Sequence, residues 1–554
     1  MKNRRLTILF AFMACTSLSI QAQMTDDEKK YQGMEDVNKV VDLTLDSLEK
    51  VATARPVAGS SRKGSNPVLF LVGNSTMRTG TKGNGDNGQW GWGFYAHQYF
   101  DESRITVENQ ALGGTSSRTF YTKLWADVKK GIRPGDYVII ELGHNDNGPF
   151  DEGRARATIK GISATDSLNV TIKETGEKET VYSYGEYMRR YIRETRALGA
   201  HPILMSLTPR NAYDEKNPGH VVRVNETFGL WARQVAEEMD CPFVDLNEIS
   251  ARKYDEMSEW KFNYHFYLDH IHTSAFGAQL NARSAADGIA ACEHPEIKPL
   301  QALMTNMALP TTGVKRDGKK PVVFITGDST VKNTDSDEDG MWGWGAVATE
   351  IFNTKKITVH NAAMAGRSCR TFLREGRWET VYNDLKPGDF VLIQFGHNDA
   401  GNELATGKAR NDLKGTADES KVFRVRNDQE VRNEVVYTFG WYLRKMIDDV
   451  RQKGATPVLV SLTPRNEWPG GKIERRNDSF GKWYHEVVEQ TGVEFVDLHN
   501  ISADAFDELG RDASAEYFKK DHTHTSKKGA RLNAQSIAKG LRQNKSKLAK
   551  YLRK

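Results

Sequence analysis

Short runs rich in Val and Ile recur along this chain, and amphipathic stretches separate them. In the first half the runs are VLFLVG, RITVEN, DYVIIEL, HPILMSL and PFVDL. GEYMRRYIRETRALG and FGLWARQVAEEM lie among the later runs and place apolar residues three and four apart, as one face of a helix requires. Apolar runs without alternation, followed by helices, predict parallel strands covered on both faces, an α/β fold. In such sheets ligands bind beyond the carboxyl ends of the strands. The polar motifs stand at those ends: GNST after the first run, NQALGGTSSR after the second, GHND after the third and TPRN after the fourth.

The pattern is written twice. PVLFLVGNSTM from Pro67 returns as PVVFITGDSTV from Pro321, and WGWGFYAHQYF from Trp90 as WGWGAVATEIF from Trp342. ITVENQALGGTSSRTF, RPGDYVIIELGHNDNG, SLTPRN and FVDLNEIS each recur in the same order. An offset of about 253 residues is too long for a solenoid repeat and marks a duplicated domain. The expected division is a first domain over 67–297, a linker over 298–320 and a second domain over 321–554. A leader over 23–66 precedes them, with helical periodicity in EDVNKVVDLTLDSLEKVA. In each copy a charged, partly alternating insertion of about 35 to 40 residues follows GHND. A loop of that length in a compact domain is usually functional or has structure of its own; this one alternates in part like a hairpin and reads as a lip over the site or as a solvated decoration.

Composition adds the setting. The chain has 554 residues, 27% of them charged, with a formal net charge of +4. Lys2, Arg4 and Arg5 precede the apolar stretch LTILFAFMACTSLSI, which reads as a secretory signal peptide over 1–22. Its removal leaves a chain near neutrality, which gives no reason to expect nucleic acid or an anionic membrane as partner. A secreted, periplasmic protein is expected, with lipid anchoring at Cys15 as the alternative. Cys241, Cys292 and Cys369 are few and scattered, so no disulfide framework is implied. No later run is long and apolar enough to insert in a bilayer.

The chemistry centres on DHIHTS, from Asp269, and DHTHTS, from Asp521. Asp269 and His272, like Asp521 and His524, are three apart, so the carboxylate can hold the ring Nδ1–H and leave Nε2 to take a proton. Ser75 and Ser329, exposed at a strand end, are the candidate nucleophiles. Gly114 and Gly366 offer backbone N–H groups, and Asn145 and Asn398 side-chain amides, for an oxyanion. The same histidines with His144 or His397 and Asp146 or Asp399 also fit a metal site. That reading leaves the repeated strand–Gly–[Asn/Asp]–Ser–Thr element unexplained. Arg210 and Arg465 in TPRN, and Arg367, are candidate contacts to an acidic substrate. Trp90, Trp92, Trp342 and Trp344 read as core or as sugar-stacking surfaces.

Taken in order, GDST, AGRSCRT, GHND and DHTHTS in the second copy, and GNST, GGTSSRT, GHND and DHIHTS in the first, resemble the SGNH (GDSL-type) hydrolase superfamily. The likeness is strongest to rhamnogalacturonan acetylesterases and related carbohydrate acetylesterases. It implies two tandem flavodoxin-like three-layer α/β/α domains and a cofactor-free, metal-free serine esterase. By that resemblance Ser75, His272 and Asp269, and Ser329, His524 and Asp521, are catalytic. Gly114, Asn145, Gly366 and Asn398 complete the oxyanion holes. The implied substrate is an acetylated plant polysaccharide, pectic or of another kind such as xylan. The first copy departs from the pattern at Asn74, where the second has Asp328. This leaves open a first domain that only binds carbohydrate, and the fold also admits a lipid or thioester hydrolase.

Overall fold

The computed structural model describes residues 55–79, 89–263, 265–266, 269–305, 307–332, 340–426, 431–518 and 521–554. The expected signal peptide, Cys15 and the helical part of the leader lie outside them. The chain forms two compact units, with the break between Met307 and Ala308.

In the first unit the strands are β1 (Val68–Gly73), β2 (Thr106–Asn109), β3 (Tyr137–Glu141), β4 (Ser167–Thr171), β5 (Lys178–Tyr182), β6 (His201–Met205) and β7 (Phe243–Val244). Five form a sheet of order β2-β1-β3-β6-β7, all pairs parallel. Alternate residues point to opposite faces of a strand, and here both faces are covered. Phe70, Val72, Val138, Ile140 and Leu204 pack with the helices Tyr184–Ala197 and Phe228–Glu238. Leu69, Leu71, Ile139, Ile203 and Met205 pack with Ala275–Ala291. This is the three-layer α/β/α arrangement that the unbroken apolar runs predict.

The second unit repeats it with β8 (Val322–Gly327), β9 (Thr358–Asn361), β10 (Phe390–Gln394), β11 (Ser420–Arg426), β12 (Val431–Tyr437), β13 (Thr456–Val460) and β14 (Glu494–Val496). Its parallel sheet has the order β14-β13-β10-β8-β9. The insertions after GHND form the antiparallel hairpin β4–β5 in one unit and the two-stranded pair β11–β12 in the other. Arg118, fully buried, ties the first hairpin to the domain through Glu179 at 2.7 Å.

All three expected boundaries move. The expected linker starts at Lys298, but Lys298–Gln301 is helical and Ile297 and Leu300 are buried in the first unit's core. Its later part is docked on the second domain: the Arg316 guanidinium holds Asp389 at 2.6 Å, and Asp389 also accepts the backbone N–H of Val322 and Lys386. The end of the leader does the same in the first domain. Arg62 makes two bonds to Asp136, at 2.7 and 2.6 Å, and Asp136 caps Val68 and Arg133. Each domain therefore begins several residues before its first strand, because an arginine there neutralises a carboxylate buried under that strand.

Arg62 and Asp136 side chains are 6% and 1% exposed. Removing one member of such a pair leaves the other charge without a partner in the interior, at a cost of about 3–5 kcal/mol. Asp136→Ala is expected to lower the urea midpoint of the first unfolding transition accordingly, and an unchanged midpoint would show that Arg62 is solvated without its partner.

Candidate active site

Each motif reaches the same end of its sheet because the strands run parallel and their following loops converge there. Ser75 follows β1, one residue after Asn74. Asn74 Oδ1 accepts the Thr76 N–H at 3.0 Å, and its carbonyl accepts from Met77 and Arg78, which folds the chain into a tight turn. The WGWG motif braces this turn from behind. The Trp92 N–H bonds the Thr76 carbonyl at 3.0 Å. A Cβ on Gly91 would lie 2.4 Å from the Met77 carbonyl carbon, and one on Gly343 2.3 Å from that of Val331, so only glycine fits. Trp90, Trp92 and Trp344 are buried, and only Trp342 is partly open, with Lys527 over its ring.

The histidine arrives from the other end of the domain. Thr273 and Trp90 are tied by two bonds, Trp90 N–H to the Thr273 carbonyl at 2.9 Å and Thr273 Oγ1 to the Trp90 carbonyl at 2.6 Å. Trp342 and Thr525 repeat both. So clamped, His272 Nε2 lies 2.8 Å from Ser75 Oγ, and its Nδ1 2.6 Å from Asp269 Oδ2. In the second domain His524 Nε2 lies 2.8 Å from Ser329 Oγ and Nδ1 2.7 Å from Asp521 Oδ2. Burial would raise both carboxyls, but bonds from the histidine and two backbone N–H groups outweigh it. Asp269 sits below its ordinary range, and Asp521 is lowered to about 2. The acids therefore stay ionised and fix Nδ1–H, leaving Nε2 as the acceptor facing the serine.

The nearer histidines stand aside. His270 and His522 each accept a backbone N–H from the TPRN loop, through their carbonyls, from Asn211 and Asn466. His144, buried, and His397, partly buried, both offered by the metal reading, have Nε2 3.1 Å from Thr208 and Thr463 Oγ1. Burial holds both rings well below their ordinary pKa, hence neutral.

Asn145 Nδ2 donates to the Thr115 carbonyl at 3.0 Å and Asn398 Nδ2 to that of Arg367 at 3.2 Å, so each amide lies against the loop that carries Gly114 or Gly366. Both glycines have φ near the left-handed region, +76° and +77°. Asp146 and Asp399 pin these loops together. Asp146 accepts from the Ser117 N–H and hydroxyl and from Thr158; Asp399 accepts from the Cys369 and Gly396 N–H groups. The motif marks these acids, but as ligands rather than as loop clamps.

In the second domain Ser329, Gly366, Asn398 and His524 line one open cleft of about 960 Å³. Lys332, Arg374, Lys408, Arg410 and Arg465 also line it. Arg367 is there too, but instead of being available, as expected, it is paired with Glu375 at 2.9 Å. Arg465 is different: its Nε is buried without a hydrogen-bond partner. Among the described residues neither Arg210 nor Arg465 has a salt bridge, so neither is spent holding its loop.

Residues 325–532 match the family model described as GDSL-like lipase/acylhydrolase family, and residues 69–284 a model described as GDSL-like lipase/acylhydrolase. The chain belongs to this family. Its two esterase domains have curated relatives of single-domain length. A rhamnogalacturonan acetylesterase of Emericella nidulans is 30% identical over 241 residues, covering 43% of this chain and 91% of the relative. One from Bacillus subtilis is 29% identical over 240 residues, covering 40% and 90%. Among solved structures, an acetylxylan esterase from Geobacillus stearothermophilus is 22% identical with a TM-score of 0.28, covering 41% of this chain and 94% of that one. Family membership makes the protein a carboxylic ester hydrolase.

Two residues beneath the nucleophile escape a reading of the sequence. Glu141 ends β3 and Gln394 ends β10, each opposite the glycine that ends the first strand of its sheet. Glu141 is fully buried; its contacts with Trp92, Thr76 and Thr208 only partly offset burial, and its pKa is pushed up from 4.5 to about 8. The folded domain thus holds a proton that the unfolded chain releases near pH 4.5. The associated stability is complete below that pH and drains away as the pH climbs to about 8, by about 1.4 kcal/mol for each pH unit in between. Urea unfolding at pH 5 to 8 should show the parent losing stability relative to Glu141→Gln. Parallel pH dependences would contradict a buried neutral Glu141.

Proposed function

We propose that this chain is a secreted serine esterase that removes O-acetyl groups from pectic polysaccharide of the rhamnogalacturonan type. The observation that carries the reading is the hydrogen-bonded line carboxylate–imidazole–hydroxyl, with links of 2.6 to 2.8 Å, formed in both domains. Ser75 or Ser329 Oγ attacks the acetyl carbonyl as His272 or His524 Nε2 takes its proton, and Asp269 or Asp521 stabilises the resulting imidazolium. The oxyanion is received by the serine amide, the Gly114 or Gly366 amide, and the Asn145 or Asn398 side chain. The imidazolium then protonates the departing sugar oxygen, and water, activated by the same ring, releases acetate.

The choice of acyl group and polymer rests on two supports. The rhamnogalacturonan acetylesterases named above are relatives of single-domain length. Among the described residues that line the second cleft, cations outnumber the carboxylate Glu375, and Arg465 has no salt bridge and an Nε without a hydrogen-bond partner, which suits a uronate-bearing chain. The apolar stretch within residues 1–22 supports export, with a periplasmic place of action. The alternative of a first domain that only binds carbohydrate starts from Asn74, yet that domain's Ser–His contact equals the second's at 2.8 Å.

Acetate release from acetylated pectin, xylan and mannan fractions tests the reading. Ser75→Ala and Ser329→Ala should each remove one component of pectin deacetylation, and the double variant should fall by at least about 10⁴-fold. A Ser75→Ala/Ser329→Ala chain with parental activity would sink the serine mechanism. Preference for xylan or mannan would reassign the substrate. Arg465→Ala in a Ser75→Ala chain should raise KM for acetylated uronate-containing oligosaccharides about tenfold, some 1.4 kcal/mol, and change p-nitrophenyl acetate much less.

A further inference from the structure

The threonine after each nucleophile is held from both sides, and the two domains do so with exchanged groups. In the second domain a relay of hydrogen bonds runs one way. Trp344 Nε1–H donates to Gln394 Oε1 at 2.7 Å, Gln394 Nε2–H to Thr330 Oγ1 at 2.8 Å, and Thr330 O–H to Asp328 Oδ1 at 2.8 Å. In the first domain the matching groups are Trp92, Glu141, Thr76 and Asn74. Trp92 Nε1 lies 3.4 Å from Glu141 Oε2, Thr76 Oγ1 lies 3.2 Å from the same oxygen, and Thr76 Oγ1 lies 3.0 Å from Asn74 Oδ1. Amide has become carboxyl on one side and carboxyl has become amide on the other, so each serine rests on one carboxyl group.

A count of protons decides how the first relay runs. Thr76 has one hydroxyl proton, and its nearer acceptor, Asn74 Oδ1, also accepts the Thr76 N–H. When that proton goes to Asn74 Oδ1, as the Thr330 proton goes to Asp328, the contact between Thr76 Oγ1 and Glu141 needs a proton from Glu141. Only the neutral acid can supply one; a carboxylate there would set acceptor against acceptor in the interior. The other groups facing Glu141 donate or are neutral. Thr208 N–H lies 3.4 Å from Oε1. The buried His144 ring is 3.8 Å from it and is held neutral by burial, with Arg210 and His272 adding to the effect. The Tyr184 hydroxyl donates to the Leu142 carbonyl. No cation pairs with Glu141 among the described residues, and burial raises its pKa in keeping with the neutral form.

We propose that Glu141 is a positioning residue of the first domain that works as the neutral carboxylic acid, in the place Gln394 fills in the second. Its O–H holds Thr76 and through it the turn carrying Ser75. Loss of that proton frees the turn, so deacetylation by the first domain declines at alkaline pH by an ionisation that the second domain lacks at this position. Asn74 belongs to the same exchange: it accepts from Thr76 as Asp328 does from Thr330 without placing a second carboxyl beside Glu141.

The proposal rests on the esterase reading, and the experiment separates the two. In a Ser329→Ala chain, the first domain alone turns over, and kcat/KM is measured at pH 6.5 and 9.5 with unfolding monitored alongside. Glu141→Gln should raise the ratio of the pH 9.5 to the pH 6.5 value about thirtyfold over its parent, since about 3% of an acid remains protonated 1.5 units above its pKa. Glu141→Ala should be slower at both. In a Ser75→Ala chain, Gln394→Glu should lower the same ratio. An unchanged ratio in Glu141→Gln, or a folded Glu141→Gln chain inactive at both pH values, would overturn the proposal. So would an unchanged ratio in Gln394→Glu should the first variant fail to fold. Absence of Ser75-dependent turnover would remove the esterase reading of the first domain and this proposal with it.

Discussion

The contact between serine Oγ and histidine Nε2 joins residues 197 positions apart in the first domain and 195 in the second. Little local sequence binds them, so their 2.8 Å separation must be set by the sheet. β1 delivers the serine at its carboxyl end, and the helix Ala275–Ala291 packs on the same sheet and begins just after the histidine. The Trp90–Thr273 pair of bonds then removes the freedom left in the loop between. Catalytic groups hold their geometry when rigid elements and secondary hydrogen bonds support them, and here the WGWG motif supports both sides, the nucleophile turn and the histidine loop.

The duplicated domains share the line of catalytic groups and differ in what surrounds it. Around the GHND acid, Ser117 and Thr158 in the first domain stand where the second has Cys369 and Asp412. Asp146 is bonded by the two hydroxyls, whereas Asp399 has backbone donors and a second buried carboxyl close by, with Asp412 pushed well up by burial and by Asp399. Beneath the serine, Asn74 and Glu141 answer to Asp328 and Gln394. Such neighbours change in concert, because a buried polar group is costly unless the group facing it suits it. Asn74 read alone looks like a loss; read with Glu141 it is one half of a transfer.

The sequence by itself determined the fold class, the duplication and the pairing of Asp269 with His272 and Asp521 with His524. These follow from local periodicity, from order along the chain and from three-residue spacing, which are properties of the chain alone. It also marked the insertions as hairpins from their alternation. The ends of the domains are not legible in it, because the docking of Arg62 and Arg316 depends on carboxylates 74 and 73 residues away and has no local signature. Glu141 and Gln394 look in the sequence like nothing more than the polar ends of apolar strands. Their importance lies in facing Thr76 and Thr330 across the sheet, and the register of β1 with β3 and of β8 with β10 decides that. Likewise the sequence offers Arg210, Arg367 and Arg465 as equals; only packing shows that Glu375 occupies Arg367 while the other two guanidinia have no salt bridge among the described residues. What is encoded by spacing could be read from the chain, and what depends on which buried group meets which partner was settled by the tertiary structure, since a polar group's role in the interior is fixed by the neighbour that satisfies it.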